Sequence, residues 1–173
     1  MENTQPTTGK FALKYGIITS VIGIAFSLML HFMDMQYSQS TGVQIVSTLI
    51  LVSLVIVAIY QFKKANDGYL ELGQALKVGM GVAAIAAVIT VIYLVLYINF
   101  IEVDYHDKLA EITRAKMIEA NPDLSTQQQD QAIEMQRKFF WVTYPIILIF
   151  NIFIGFVVSL ITGLIMKKTK SEM

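Results

Sequence analysis

Four long apolar stretches dominate this chain and constrain its fold more than any other feature. An α-helix needs about 20 residues to cross a hydrocarbon layer of about 30 Å, and each stretch is long enough. Only one charged residue, Lys14, lies within them. Because a lone apolar strand would leave its backbone groups unpaired in lipid, we expect helices. The spans are predicted over residues 11–33, 43–62, 78–101 and 139–166.

The composition agrees with a membrane protein. Hydrophobic residues make up 55% of the chain and charged residues 15%, which is too apolar for an ordinary soluble domain. The formal net charge is zero, so no overall field attracts nucleic acid. The chain has no cysteine, which excludes disulfides and thiolate metal sites. We therefore predict an all-α integral membrane four-helix bundle that forms a single domain over residues 1–173.

The lysines predict the orientation of the spans, because cytoplasmic flanks collect Lys and Arg. Eight lysines fall on one side of a four-span zigzag. They are Lys10, Lys14, Lys63, Lys64, Lys77, Lys167, Lys168 and Lys170. On the other side, residues 34–42 contain no basic residue, and residues 102–138 contain five basic and eight acidic residues. We therefore expect cytoplasmic N- and C-termini.

Residues 102–138 form the only sizeable polar segment between spans. Asn121-Pro122 divides it into two helical stretches. Ser125, with Gln128 three residues later, is typical of a capping box that starts the second stretch. We therefore predict an extramembrane helical hairpin between spans three and four, on the periplasmic side.

Two local features bear on the ends of the spans. Asn66-Asp67-Gly68 predicts a turn, with Asp67 capping a helix that starts at Gly68 or Tyr69. Pro145 removes a backbone hydrogen bond within the fourth span, so we expect a bend there. The aromatic residues around that point are typical of anchors at a membrane interface, namely Phe139, Phe140, Trp141 and Tyr144.

Small residues spaced by four predict faces where two helices can approach closely. On the fourth span they are Asn151, Gly155, Ser159 and Gly163. The third span carries Gly79, Ala83 and Ala87, and the first carries Thr19, Gly23 and Ser27. Packing within one bundle and an interface between two copies both explain such faces.

The sequence offers little for catalysis or metal binding. Of the two histidines, His31 lies near the outer end of the first span, and His106 lies close to Asp104 and Asp107. A metal could use His106 with the carboxylates, but successive helical residues point apart and no second histidine follows at the required spacing. We predict no catalytic, cofactor-binding or metal-binding residues. Neutral polar residues in the spans are the only candidates for lining a channel, and they are Thr90, Asn99, Asn151, Ser159 and Thr162.

Several short segments resemble a bacterial membrane family, domain of unknown function 4199. The most specific segment is Gly73-Gln74-Ala75-Leu76-Lys77-Val78-Gly79, and the others are Gly68-Tyr69, Tyr97, Asn99-Phe100-Ile101, Asp104-Tyr105 and Lys108. Where members often have Asp-Pro after the third span, this chain has Glu102-Val103. The resemblance implies an uncharacterised four-span protein of the Gram-negative inner membrane, and it brings no activity or catalytic residue.

These observations favour a noncatalytic inner-membrane protein with an interaction role, as an accessory subunit or an envelope sensor. Its expected partners are the lipid bilayer and either a second copy of the chain or another membrane protein. No cofactor and no nucleic acid are expected. The alternative is a small oligomeric transporter or channel lined by the neutral polar residues.

Overall fold

The computed structural model describes residues 6–38 and 40–169, and this part of the chain is helical with no β-strand. The predicted all-α class is confirmed. Six α-helices follow one another: α1 (Thr8–Phe32), α2 (Thr41–Ala65), α3 (Leu72–Leu96), α4 (Tyr105–Ala120), α5 (Thr126–Lys138) and α6 (Thr143–Met166). A π-helix, Tyr97–Ile101, continues α3, and a 3₁₀ turn, Phe140–Val142, precedes α6.

Four helical segments are long and apolar enough to cross a membrane. They are Thr8–Phe32, Thr41–Ala65, Leu72–Ile101 and Phe140–Met166. The four long apolar helices predicted from the sequence are therefore confirmed. A chain with four such helices is a multi-pass membrane protein.

Local sequence explains where the helices begin and end. Ser40 caps α2, because its side-chain oxygen accepts a hydrogen bond from the Val43 amide at 3.4 Å. After α2 the predicted turn forms, with positive φ angles of 53° at Asp67 and 80° at Gly68. The expectation that Asp67 caps the next helix is wrong, because α3 begins only at Leu72. The left-handed backbone at Asp67 and Gly68 is incompatible with a helix start there.

The chain divides into two compact units, which are residues 1–90 with 148–173, and residues 91–147. In the first unit, α1 and α3 begin at the end where α2 and α6 finish. The Phe11 and Phe62 rings meet edge to face there, with centroids 5.4 Å apart. Leu70 and Lys168 pair through two backbone hydrogen bonds of 2.9 Å. We call this end, with its seven described lysines, the lysine end.

The core of the first unit occupies the half of the helices nearest the lysine end. Among the helices, its largest fully buried apolar side chains come from α2 and α3, and they are Val55, Ile59, Phe62, Val78 and Val82. By contrast, every described residue of α2 from Thr41 to Ile50 is exposed or only half-buried. The apolar surface outside the core suits contact with lipid tails.

The second unit is built around the hairpin of α4 and α5. The predicted capping box starts α5, since the Gln128 amide donates to Ser125 Oγ at 3.3 Å and the Ser125 amide donates to Gln128 Oε1 at 3.0 Å. Pro145 lies in the first turn of α6, where a missing N–H removes no helical hydrogen bond. The helical geometry changes from 3₁₀ to α just before Pro145, between Val142 and Thr143. The bend expected at Pro145 stays a prediction.

Candidate functional site

In the first unit, the small residues of α3 and α6 face each other at very short range. A Cβ atom added at Gly155 would lie 2.5 Å from the Ala83 Cβ and 3.2 Å from the Gly79 carbonyl oxygen. One added at Gly79 would overlap the Ser159 hydroxyl and lie 2.9 Å from Val55. Since real Cβ atoms do not approach so closely, each glycine is needed for the contact. These two small-residue faces therefore meet within a single chain.

The other small residues selected from the sequence behave differently from one another. Gly163 belongs to the same contact, because an added Cβ would lie 2.8 Å from the Ala75 Cβ. Asn151 is half-buried on α6. Gly23 takes no part in close packing, because an added Cβ there would have no atom within 4 Å. Of these three residues, which were selected from the sequence, Gly163 therefore belongs to the tight contact and Gly23 does not.

Helix α1 does pack closely on α3, but through residues that the sequence reasoning missed. A Cβ at Gly16 would lie 2.7 Å from Ile85, and one at Gly81 would lie 2.6 Å from the Ala12 Cβ. Ala12 and Gly16 are spaced by four, as are Thr19 and Gly23. Both pairs can be found in the sequence, but their spacing alone does not show which glycine lies against a neighbouring helix.

Three buried hydroxyl groups in the first unit donate hydrogen bonds to carbonyls of their own helices. Thr19 donates to the Tyr15 carbonyl at 2.7 Å, and Ser20 donates to the Gly16 carbonyl at 2.8 Å. Ser159 likewise donates to the carbonyl of Gly155, one turn earlier. Such bonds satisfy a hydroxyl inside an apolar environment without any ligand. These buried hydroxyls therefore support packing and leave little polar surface for lining a path.

In the second unit, an ion pair joins the start of the hairpin to its first helix. Lys108 Nζ donates to Glu102 Oε1. The Glu102 side chain is only 6% exposed, whereas that of Lys108 is 48% exposed. From the sequence, Glu102 was one of eight acidic residues in a polar segment and, like Lys108, part of the family comparison, but the two were not expected to pair. The signal for the pair is an acidic residue directly after an apolar span with a lysine six residues later.

Tyr105 and His106, which lie between Glu102 and Lys108 in the sequence, belong to an aromatic cluster. The His106 ring meets Phe140 edge to face with centroids 4.7 Å apart, and Tyr105 lies 6.0 Å from the same ring. Phe140 in turn contacts Tyr144 at 6.0 Å. Burial, and then the nearby Tyr144, raises the pKa of Tyr105, so its hydroxyl stays protonated at neutral pH. The contact of His106 with Phe140 is therefore a packing contact between two rings.

The same cluster separates the aromatic residues that were predicted as interface anchors. Phe140 is half-buried within it, while Phe139 is 50% exposed and Trp141 is 61% exposed.

No group of three or more His, Cys, Asp or Glu side chains that could hold a metal occurs within residues 6–38 and 40–169. Asp104 and His106 accordingly have no third ligand among the described residues.

The hairpin helices α4 and α5 are braced by two further ion pairs. Arg114 contacts Asp130 at 2.5 Å, and Arg137 contacts Asp107 at 2.6 Å. These pairs run between facing helices and fix their antiparallel register. Each is exposed enough that its contribution to stability is small, roughly 0–1 kcal/mol. Several acidic side chains remain on the exposed surface of the hairpin, namely Glu111, Glu119, Asp123 and Glu134.

At the lysine end, the last turn of α2 is tied to the end of α6. Lys63 Nζ donates to the Met166 carbonyl oxygen at 2.8 Å, which satisfies one of the open carbonyls at the helix terminus. Two residues later, the backbone of Lys168 pairs with Leu70, and its ammonium lies 5.5 Å from the centre of the Tyr69 ring. The polypeptide after α6 is therefore held against the α2–α3 turn.

Comparison with known proteins gives a family and no characterised relative. The sequence profile of the family described as "Protein of unknown function (DUF4199)" matches residues 14–168, which is most of the chain. No curated protein and no solved structure matches the chain significantly. Inferences about function must therefore come from the geometry of the chain.

Proposed function

Because the chain belongs to the DUF4199 family, as its Gly73 to Lys77 segment predicted, and that family has no described activity, we propose a function from the chain's own surfaces. The protein is a noncatalytic component of the bacterial inner membrane. It acts as an accessory subunit or envelope sensor by presenting the α4–α5 hairpin to a protein partner. Both termini lie in the cytoplasm and the hairpin lies in the periplasm.

The observation that carries this proposal is the contrast between the two units. In the first unit, close helix packing and internally bonded hydroxyls suit a scaffold in lipid. In the second unit, ion pairs brace a polar hairpin that carries exposed acidic side chains. A braced polar element loses little conformational freedom on binding, which favours recognition of a partner.

The proposed orientation can be tested with topology reporters. A fusion after Met173 is expected to report the cytoplasm, and one inserted near Asn121 is expected to report the periplasm, because lysine-rich flanks are retained inside. Alkaline phosphatase and green fluorescent protein provide the two complementary readouts. Signals from the same side for both sites would contradict the four-span arrangement.

The interaction role can be tested by photo-crosslinking in native membranes. A photoreactive residue in place of Glu119, which is exposed on α4, is expected to give a discrete protein adduct. The matched control replaces Val157, which is exposed on the apolar span α6 and is expected to yield mainly lipid adducts. Neutralising Glu111 and Glu134 together should weaken the Glu119 adduct. Lipid adducts alone at both sites would contradict recognition of a protein by the hairpin.

The alternative, a small oligomeric transporter or channel, has less support. Its neutral polar candidates include Ser159, which donates to its own helix, and Asn99, whose side-chain amide donates to the Val95 carbonyl at 2.7 Å. A flux assay separates the two functions. We expect liposomes containing the purified protein to leak ions and small solutes no faster than empty vesicles. Flux well above that background would favour the transporter and contradict the interaction role.

A further inference from the structure

Among the residues that the structure describes, the lysine end carries an excess of positive charge. Its seven described lysines are accompanied there by two described acidic residues, Asp67 and Glu71. No ion pair joins these lysines to an acidic side chain among the described residues. Lys64 and Lys167 are exposed, so their ammonium groups are accessible to a ligand from outside the chain.

Four of these lysines lie at one corner of the lysine end, where α2 and α6 both end. Lys63 is bonded to the Met166 carbonyl, which brings the last turn of α2 to the end of α6. Lys64 is exposed beside it, and Lys167 and Lys168 follow directly after α6. We call these four lysines the basic corner.

The backbone at the basic corner is ordered by specific contacts. Lysines that follow a last span usually lie on a free tail, but here Lys168 is paired with Leu70 through two hydrogen bonds of 2.9 Å. The turn that carries Leu70 is itself closed, because the Gly68 amide donates to the Lys63 carbonyl at 2.9 Å. Ordered cations cost less entropy to engage than cations on a free tail.

We propose that the basic corner is a binding site for the phosphate headgroup of an anionic phospholipid in the adjoining leaflet. The corner lies where two apolar spans end, which is the depth of lipid headgroups. Lys64 and Lys167 contact the phosphate, and Tyr69 supplies an aromatic side chain of the kind enriched at this depth. This site is independent of any partner of the hairpin, and it depends only on insertion of the four spans.

The test compares lipid retention by the full chain in detergent micelles. Native mass spectrometry is performed with phosphatidylglycerol or phosphatidylcholine added at equal concentration. The wild-type protein should retain phosphatidylglycerol preferentially. Because each lysine near a membrane surface contributes about fivefold to anionic lipid binding, Lys64→Gln with Lys167→Gln should weaken retention by at least about tenfold. Both positions are exposed, so the variant should keep its melting temperature without added lipid.

A matched control distinguishes a site from diffuse attraction. Lys10→Gln with Lys14→Gln removes the same charge from the same end, but on α1. If this control loses phosphatidylglycerol as strongly as the corner variant, the proposal is overturned in favour of a general surface charge. Equal retention of the two lipids by the wild-type protein also overturns it. Inorganic phosphate alone should not raise the melting temperature, and a rise equal to that caused by lipid would assign the site to free anions instead.

Discussion

Gly79→Ala is expected to lower the free energy of unfolding by roughly 1–3 kcal/mol, because one added methyl group overpacks the contact between α3 and α6. The new Cβ would overlap Ser159 and lie 2.9 Å from Val55, so the two helices would have to separate. For a chain of this size each kcal/mol corresponds to about 2–4 °C in melting temperature. Thermal unfolding in detergent, followed by circular dichroism, measures the change.

Gly23→Ala is the matched control for this prediction. The substitution is identical and the position also lies within an apolar helix, but nothing lies within 4 Å of the added Cβ. Alanine is the better helix former by up to about 1 kcal/mol, so stability should be unchanged or higher. Equal losses at both positions would mean that glycine itself is required in these helices. No loss at Gly79 would mean that α3 and α6 do not approach as closely as described.

Lys108→Met is expected to destabilise the second unit by roughly 2–3 kcal/mol. The variant removes the ammonium group from a carboxylate that is only 6% exposed, and a buried charge without its partner is costly. This value lies below the roughly 3–5 kcal/mol for a fully buried pair, because about half of the Lys108 side chain is already exposed. Hydrogen exchange of the amides in residues 102–120 measures the local effect, and chemical unfolding measures the global one.

Glu102→Gln should cost less than Lys108→Met, by more than about 1 kcal/mol, because the freed ammonium can turn to water while the amide stays neutral. Combining the two substitutions should recover part of the loss caused by Lys108→Met alone, since the uncompensated charge is then absent. Additive losses in the double variant would show that the two side chains act independently. That result would contradict the ion pair as the reason for burying Glu102.

Much of the fold was predictable from short-range signals. The four apolar helices follow from hydropathy over about 20 residues, and the start of α5 follows from the spacing of Ser125 and Gln128. The start of α3 could not be predicted in this way. Asp67 is a good residue for capping a helix, but it also tolerates the left-handed conformation that it adopts here. Local sequence did not distinguish between these two uses.

The contacts of the candidate sites depend on partners far away in the sequence. Spacing by four identified small faces on α3 and α6, but on α1 it selected Gly23 when Gly16 is the glycine against α3. The pairing of Leu70 with Lys168 joins residues nearly a hundred positions apart, and neither side chain indicates it. Such choices are made by the three-dimensional packing, which a single sequence does not reveal.

The close contact of α3 with α6 has a consequence for how the protein is made. Gly79 and Ser159 are separated by 80 residues, and the ribosome adds about 5–20 residues per second, so α3 waits roughly 4–16 s for its packing partner. During that interval its glycine and alanine surface is open to other helices in the membrane. A nascent chain that stalls before α6 would therefore leave this close-packing surface of α3 without its partner helix.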